Sequence, residues 1–301
     1  MNGGKNPLVS IIINCYNSDE FLKETLESVI NQSYQNWEVI FWDNQSTDRS
    51  AEYLKGYNEP RFKYFYAPQF APLSTARNLA VEKASGKFLA FLDCDDVWIK
   101  DKLALQMPYF DDENIGLVYS DFDLIMQSDT RSAVYMFDGF KKMVCKPHGR
   151  QNVLKRLLKS NYIIFSTIVV RKAIYDLTGG FTNEFKHNED YEILLKVSLA
   201  SDAACIAEKA TLYRIHGGNN SYQNMDISFQ ENRMILQSLP SKKEVKEAIN
   251  RNEVRFLIHN LIHKKELKNI KTIFGSLAMC NALVQVLQFK FNRFFITRSQ
   301  R

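Results

Sequence analysis

The 301-residue sequence has no stretch of about 18 uninterrupted apolar residues, the length that a membrane-spanning helix needs. Met1 to Pro7 lead into an apolar segment far too short to span, with no small-residue cleavage site, so no signal peptide is expected. The five cysteines, Cys15, Cys94, Cys145, Cys205 and Cys280, include no C-x-x-C pair, which argues against a zinc ribbon or a dithiol redox motif. An odd number of scattered thiols fits a reducing cytoplasm. Neither G-x-G-x-x-G nor G-x-x-x-x-G-K-[ST] occurs, and Gly86-Lys87 runs into Phe88, so there is no phosphate-cradling glycine loop. A bound nucleotide would have to be held by side chains at several strand ends. No internal repeat or low-complexity segment is present. An overall basic surface is lacking too. Ser241 to Arg301 hold 13 Lys and Arg against 4 Asp and Glu, whereas the preceding residues hold 26 against 30. The basic excess belongs to the tail and does not make the body a nucleic-acid binder.

What is present, at 45% hydrophobic content, suffices for one large core or two modest ones. Leu8 to Ile13, Trp37 to Trp42, Phe62 to Tyr66 and Phe88 to Leu92 read as strands. Between them lie helical patterns through Phe21, Leu22, Leu26, Val29 and Ile30, through Ala51, Tyr53 and Leu54, and from Ser74 to Ala84 with Leu79, Ala80 and Val81 inward. Asn17 and Glu20 suit a capping pair for the first helix. This alternation predicts a doubly wound α/β sheet. Further on, Gly116 to Ser120, Ile163 to Val170, Cys205 to Ala207 and Thr211 to Ile215 read as strands, and Val153 to Leu158 as helix. Residues 127–149 read as a hairpin or loop. Gly179-Gly180-Phe181 marks a tight turn, and Asn188-Glu189-Asp190 opens an amphipathic helix. From about Asp226 the chain is helical, with stretches at Asn250 to His263 and Thr272 to Ile296.

The chemistry concentrates at Phe88 to Trp98, where five apolar residues run into Asp93, Asp95 and Asp96. Strands of a parallel sheet point their C-terminal ends at the ligand crevice. Crowded carboxylates raise one another's pKa unless a cation neutralises them. Hard oxygen donors suit Mg²⁺ or Mn²⁺, which in turn suit a diphosphate. The alternative for so short a motif is an acidic turn capping the next helix.

Other features follow in order: Asn14-Cys15-Tyr16-Asn17 after the first strand, Asp43-Asn44-Gln45-Ser46-Thr47-Asp48 after the second, Ala76-Arg77-Asn78, Gly179-Gly180-Phe181, Glu189-Asp190 and Tyr213-Arg214-x-His216. With Asp93-Cys94-Asp95-Asp96-x-Trp98, this series resembles the family 2 inverting glycosyltransferases of bacterial surface-polysaccharide synthesis. The resemblance covers about residues 8–221. It implies the GT-A fold, a Rossmann-like, mixed and mainly parallel sheet flanked by helices. The catalytic domain would span 1–225, with a nucleotide-binding part at 8–120 and an acceptor part at 121–225. Residues 226–301 would form a basic helical extension.

The resemblance also implies roles. Asp95 would bind the metal directly, with Asp93 at the ribose or the metal's water shell, and His216 would complete the metal or pyrophosphate site. Asp96 would bind too or only cap a helix near Trp98. Asn14, Tyr16, Asp43, Asn44, Arg77, Asp93 and Cys94 would hold a nucleotide-sugar donor. A UDP-sugar is expected, although Asn at positions 14 and 44 departs from the commonest family pattern. Arg77 would lie near the nucleotide or form a surface ion pair. Asp190 would be the general base that takes the proton from an acceptor hydroxyl on a glycan or lipid-linked glycan. Glu189 would orient or cap, and Gly179-Gly180-Phe181 would approach the acceptor or merely pack.

His259 and His263 stand four apart, but position 260 is Asn, so the H-E-x-x-H motif is missing and both read as surface or packing residues. The aromatic and basic segment 272–301 suits peripheral contact with an anionic membrane surface, or packing on the catalytic domain or on a second subunit in a homodimer. The resulting expectation is a cytoplasmic, metal-dependent inverting glycosyltransferase. Its rivals are a catalytically silent binding paralogue and a sugar nucleotidyltransferase, which would need the glycine-rich phosphate loop that is missing.

Overall fold

The computed structural model describes residues 6–126, 147–183, 185–216 and 225–263. The chain divides into two compact units, Met1–Gln223 and Asn224–Arg301. The first is built on a nine-stranded sheet of order β3-β2-β1-β4-β8-β6-β9-β5, with β7 also paired to β9. Its strands are β1 (Val9–Cys15), β2 (Trp37–Asp43), β3 (Phe62–Tyr66), β4 (Phe88–Phe91), β5 (Val97–Trp98), β6 (Ile115–Met126), β7 (His148–Gln151), β8 (Val169–Arg171) and β9 (Asp202–Ile215). The helices are α1 (Asp19–Ile30), α2 (Ser50–Lys55), α3 (Leu73–Val81), α4 (Lys102–Gln106), α5 (Leu154–Leu157), α6 (Lys172–Leu177) and α7 (Glu189–Ala200).

β1, β2, β3 and β4 run parallel, as the alternation of apolar runs and helical patterns predicts. β1 is flanked by β2 on one side and β4 on the other, so the strand order reverses at β1. Doubly wound sheets open their ligand crevice at that reversal. The sheet is mixed because β8 pairs antiparallel with both β4 and β6, and β5 and β7 pair antiparallel with β9. Ile11, Ile13 and Cys15 of β1 join Val39 and Phe41 of β2 and Leu22, Leu26 and Val29 of α1 in one buried cluster. Burying such side chains contributes about 1.5–3 kcal/mol each.

Several local expectations are corrected. Asn17 does not cap α1. It takes a positive φ of 51°, and its Oδ1 accepts from Thr47 N at 2.8 Å, 30 residues on. The free N–H groups before α1 are satisfied across the chain instead, Ser18 N by Ser50 Oγ at 3.1 Å and Asp19 N by Asp48 Oδ2 at 2.9 Å. Trp98 starts no helix; it belongs to β5, opposite Thr211, and the helix begins at Lys102. Ile163 to Val170 is not continuous strand. Thr167 N and Oγ1 both donate to Ile164 O, which closes a 3₁₀ turn at Phe165–Thr167 and leaves only Val169–Arg171 as strand. Cys205 to Ile215 is one long strand rather than two. Cys205 is disulfide-bonded, while Cys15 and Cys94 are free thiols.

The second unit holds α8 (Met225–Ser238) and α9 (Lys243–His263). They meet through Phe229 and Phe256, ring centroids 5.6 Å apart, through Asn252 Nδ2 donating to Phe229 O at 3.0 Å, and through an Arg233–Glu253 pair at 3.2 Å. No helix of the described residues is long and apolar enough to cross a membrane. The expected loop at 127–146 and the expected membrane or subunit contact of 272–301 lie outside the described residues.

Candidate functional site

The three carboxylates after β4 are held apart by different partners. Asp93 is 42% exposed and accepts from Arg77 Nη2 at 3.0 Å. Its own N–H donates to Ser166 Oγ at 3.2 Å. Asp95 Oδ2 lies 2.9 Å from His216 Nε2, and the His216 ring packs 5.0 Å from Phe21. Burial, then the Asp93 charge, pushes the Asp95 carboxyl above the usual carboxylate range, and His216 partly offsets this. Asp96 has no exposed surface and is no helix cap. Its Oδ1 accepts from Arg214 N at 2.9 Å, and burial raises its pKa strongly. Arg214 then clasps the turn: Nε donates to Asp95 O at 2.7 Å, Nη2 meets Glu24 at 2.6 Å, and the guanidinium lies 4.5 Å from the Phe21 ring centroid.

Asp93 thus turns to Arg77 while Asp95 faces His216. Among the described residues no three His, Cys, Asp or Glu side chains cluster to hold a metal by themselves. Asp95 Oδ2 and His216 Nε2 converge within 2.9 Å. A carboxylate oxygen and an imidazole fit Mn²⁺ or Mg²⁺ if a diphosphate completes the shell, because these ions bind through one or two carboxylates plus substrate phosphates.

The expected nucleobase residues divide. Asp43, at the end of β2, is fully buried; Oδ2 accepts from Tyr64 OH and Oδ1 from Ser46 N, each at 2.7 Å. Asn44 is pinned to Ala71, donating to its O at 2.8 Å and accepting from its N at 3.2 Å. Both side chains are engaged in holding the turn after β2. Cys94 is likewise buried, its Sγ 3.2 Å from Asn14 O and in hydrogen-bond contact with Cys15, so it ties the Asp93–Asp95 turn to β1. Asn14 and Tyr16, the other two residues expected at the nucleotide from this segment, differ from these. Asn14 Oδ1 and Nδ2 are buried without a partner. Tyr16 is 51% exposed and packs edge-on against exposed Phe70, centroids 4.9 Å apart. An exposed aromatic ring just after β1, where the strand order reverses, suits a planar ligand such as a nucleobase.

The other half of the site is the start of α7. Asp190 Oδ1 accepts from Tyr191 N at 2.6 Å and Oδ2 from Asn161 Nδ2 at 3.3 Å. Burial, then the neighbouring Glu189, raises its pKa to about 7, with Arg77 acting in the opposite sense. A general base works best with its pKa near the operating pH. Glu189 is buried and accepts from Arg77 Nη1 at 2.7 Å. Arg77 is thus neither a surface ion pair nor a free phosphate ligand. Its buried guanidinium, 4.4 Å from the Phe165 centroid and 5.7 Å from Phe181, joins Asp93 at the end of β4 to Glu189 at the head of α7. Phe181 is buried against Phe91, Phe165 and Tyr175, so the Gly179-Gly180-Phe181 turn packs and does not present its ring to an acceptor.

Sequence reasoning missed Asn161, Ser166 and the clasping role of Arg214. Asn161 and Ser166 carry no motif, and both lie in a stretch read as near or within a strand. Arg214 stands two residues before His216 in the series Tyr213-Arg214-x-His216, and that proximity was the available signal.

The glycosyl transferase family 2 model matches residues 10–177, more than half of the chain. The UDP-Glc:alpha-D-GlcNAc-diphosphoundecaprenol beta-1,3-glucosyltransferase WfgD of Escherichia coli is 32% identical over 190 residues, 63% of this chain and 69% of that protein. The putative teichuronic acid biosynthesis glycosyltransferase TuaG of Bacillus subtilis is 36% identical over 126 residues, 41% of this chain and 50% of that protein. S. aureus TarS 1-349, solved with UDP-GlcNAc, superposes with a TM-score of 0.67 at 19% identity, covering 93% of this chain and 80% of that one. The mannosyltransferase PcManGT from Pyrobaculum calidifontis, solved with GDP-Man and Mn²⁺, gives 0.62 at 15% identity, covering 95% and 81%. At these identities the two solved structures speak for the fold, which is GT-A.

Proposed function

We propose, from the premise that this chain belongs to glycosyl transferase family 2, that it moves a sugar from a UDP-sugar to a hydroxyl of a lipid-linked glycan, with inversion at the anomeric carbon. The observation that carries this reading is the pairing of two unlike carboxylate sites through one buried arginine. Asp95, next to His216, lies at the ligand end of β4; Asp190, raised to about pKa 7, heads α7; Arg77 bonds the neighbours of both, Asp93 and Glu189. A single in-line displacement needs a group for the leaving diphosphate and a base for the incoming hydroxyl. In this assignment Tyr16 and Asn14 receive the nucleobase, and Asp95 with His216 lies at the diphosphate. A divalent ion bound there supplies positive charge for the departing diphosphate. Asp190 takes the proton as the acceptor oxygen attacks.

UDP-glucose with a GlcNAc-diphosphoundecaprenol acceptor is the first pair to test, because WfgD, 32% identical, is named for it. The assay follows UDP release with Mn²⁺ and with EDTA across UDP-glucose, UDP-GlcNAc and GDP-mannose, with NMR of the product's anomeric proton. Turnover of a UDP-sugar giving the inverted anomer supports the reading. Retention of configuration, or a preference for GDP-mannose, overturns the corresponding part.

A further inference from the structure

We propose that Asn161 is a positioning residue for the base: its side-chain amide holds the Asp190 carboxylate so that Oδ2 is the oxygen that takes the proton. The inference rests on the assignment of Asp190 as the base. It starts from the two hydrogen bonds to the Asp190 carboxylate. Oδ1 is committed to the backbone N–H of Tyr191 at 2.6 Å, a short bond within the first turn of α7. Oδ2 receives only the longer bond from Asn161 Nδ2, at 3.3 Å. The donors come from different elements, so together they fix the rotation of the carboxylate plane. The more weakly engaged oxygen keeps the basicity.

Asn161 is an unexpected residue for packing alone. Its Oδ1 is buried and has no partner. Leaving an amide carbonyl unsatisfied in the interior is unfavourable, a loss that an apolar side chain of similar size would avoid. The amide makes sense at this position if Asp190 needs it. A carboxylate only accepts, so it requires the Nδ2 donor. Once protonated, Asp190 carries an O–H that must itself be accepted. Oδ1 of Asn161 is held by nothing else, so a half-turn of the amide presents it to that O–H. In the step concerned the acceptor O–H bond breaks as the oxygen bonds to the anomeric carbon. The anomeric bond to the diphosphate breaks, and the proton passes to Asp190 Oδ2. One side chain then serves both protonation states of the base.

The charged groups around Asp190 are Glu189 on its own helix, Arg77 from α3 and Asp93 after β4. Substitutions at the uncharged Asn161 leave all three in place. The test uses the full chain with ¹³C-carboxyl-labelled aspartate, the Asp190 resonance being identified by its loss in Asp190→Asn. Asn161→Leu removes the donor at similar volume and should raise the Asp190 titration midpoint by about half to one pH unit. Asn161→Asp keeps the shape but adds a second anion, and should raise it further. UDP release from UDP-glucose should fall in kcat with KM for UDP-glucose unchanged. Midpoints in both variants equal to the wild type would overturn the inference, since a merely structural role predicts no ordered shift. Wild-type turnover by Asp190→Asn would instead remove the base assignment. The titration needs no substrate and is read separately from it.

Discussion

Asp95 and Asp190 are both raised by burial, yet their surroundings give them opposite work. Asp95 has an imidazole at 2.9 Å and the Asp93 carboxylate two residues before it. Asp190 has an amide and a backbone N–H. Asp190→Asn should lower UDP release at least about 100-fold, the low end of what a positioned base contributes. UDP binding, read by thermal shift with Mn²⁺, should persist. Asp95→Ala should do the reverse at the binding level, abolishing the Mn²⁺-dependent part of the shift. The pH dependence carries a definite sign. Asp190 must be unprotonated to act, so kcat/KM should fall below about pH 7. Stability moves the other way. The folded state keeps the Asp190 proton up to about 7 and the unfolded chain loses it near 4, so folding binds the extra proton in that window and stability declines as pH rises through it. Asp190→Asn should therefore raise Tm relative to wild type at pH 8 and leave it almost unchanged at pH 4. An equal Tm difference at both pH values would show that Asp190 titrates normally.

At the scale of elements, α3 joins the two halves of the site. Its Ser74, Arg77 and Asn78, three and four residues apart, share one face. Ser74 Oγ donates to Phe185 O at 3.1 Å, Arg77 bonds Glu189, and Asn78 Nδ2 donates to Phe181 O at 2.7 Å while its Oδ1 accepts from Phe181 N at 3.0 Å. The segment entering α7 is thus fastened to α3 at three points. Two neighbouring glycines test this. Both have positive φ, 77° at Gly179 and 70° at Gly180. A Cβ on Gly179 meets nothing within 4 Å, whereas one on Gly180 would lie 2.8 Å from Asn78 Oδ1 and 3.0 Å from Tyr175 OH. Gly179→Ala should lose only the backbone term, about 1–2 kcal/mol. Gly180→Ala should lose that and disturb Asn78 as well, giving a lower Tm and reduced kcat. Equal denaturation midpoints for the two would argue against the fastening. The sequence showed the strands of this half plainly, since β-branched and aromatic runs ending in polar clusters admit few other readings. It also brought Asp190 and Asp95 forward as chemistry-bearing residues. It could not show that Arg77 would turn inward, or that Asp43 and Asn44 would bond to Tyr64, Ser46 and Ala71. Apart from Ser46, three residues from Asp43, the partners lie 16 to 112 residues away, which no local spacing encodes. The 3₁₀ turn at Phe165 was hidden for the same reason: Ser166 O is taken by Trp98 Nε1 at 2.8 Å, a pairing 68 residues apart.

At the scale of the whole molecule, charge and chemistry separate along the chain. Every candidate site residue lies in the first unit, before Gln223, whereas the basic excess lies after Ser241. The family match, residues 10–177, also lies wholly in the first unit. The sheet of that unit closes its own core, from Val9 in β1 to Ala210 in β9, and the partners given above for Asp95 and Asp190 (His216, Tyr191 and Asn161) all lie within it. We therefore expect a chain ending at Gln223 to fold and to bind UDP in the presence of Mn²⁺. A ligand at one hundred times its Kd stabilises the folded state by about 2.7 kcal/mol, enough for a shift of several degrees in Tm. The shortened chain should show the same UDP-dependent shift as the full chain, and EDTA should reduce the shift in both to the same extent. A shortened chain that unfolds cooperatively but shows no shift would mean that the nucleotide site needs residues after 223. One without a cooperative transition would mean that the boundary is no domain boundary at all.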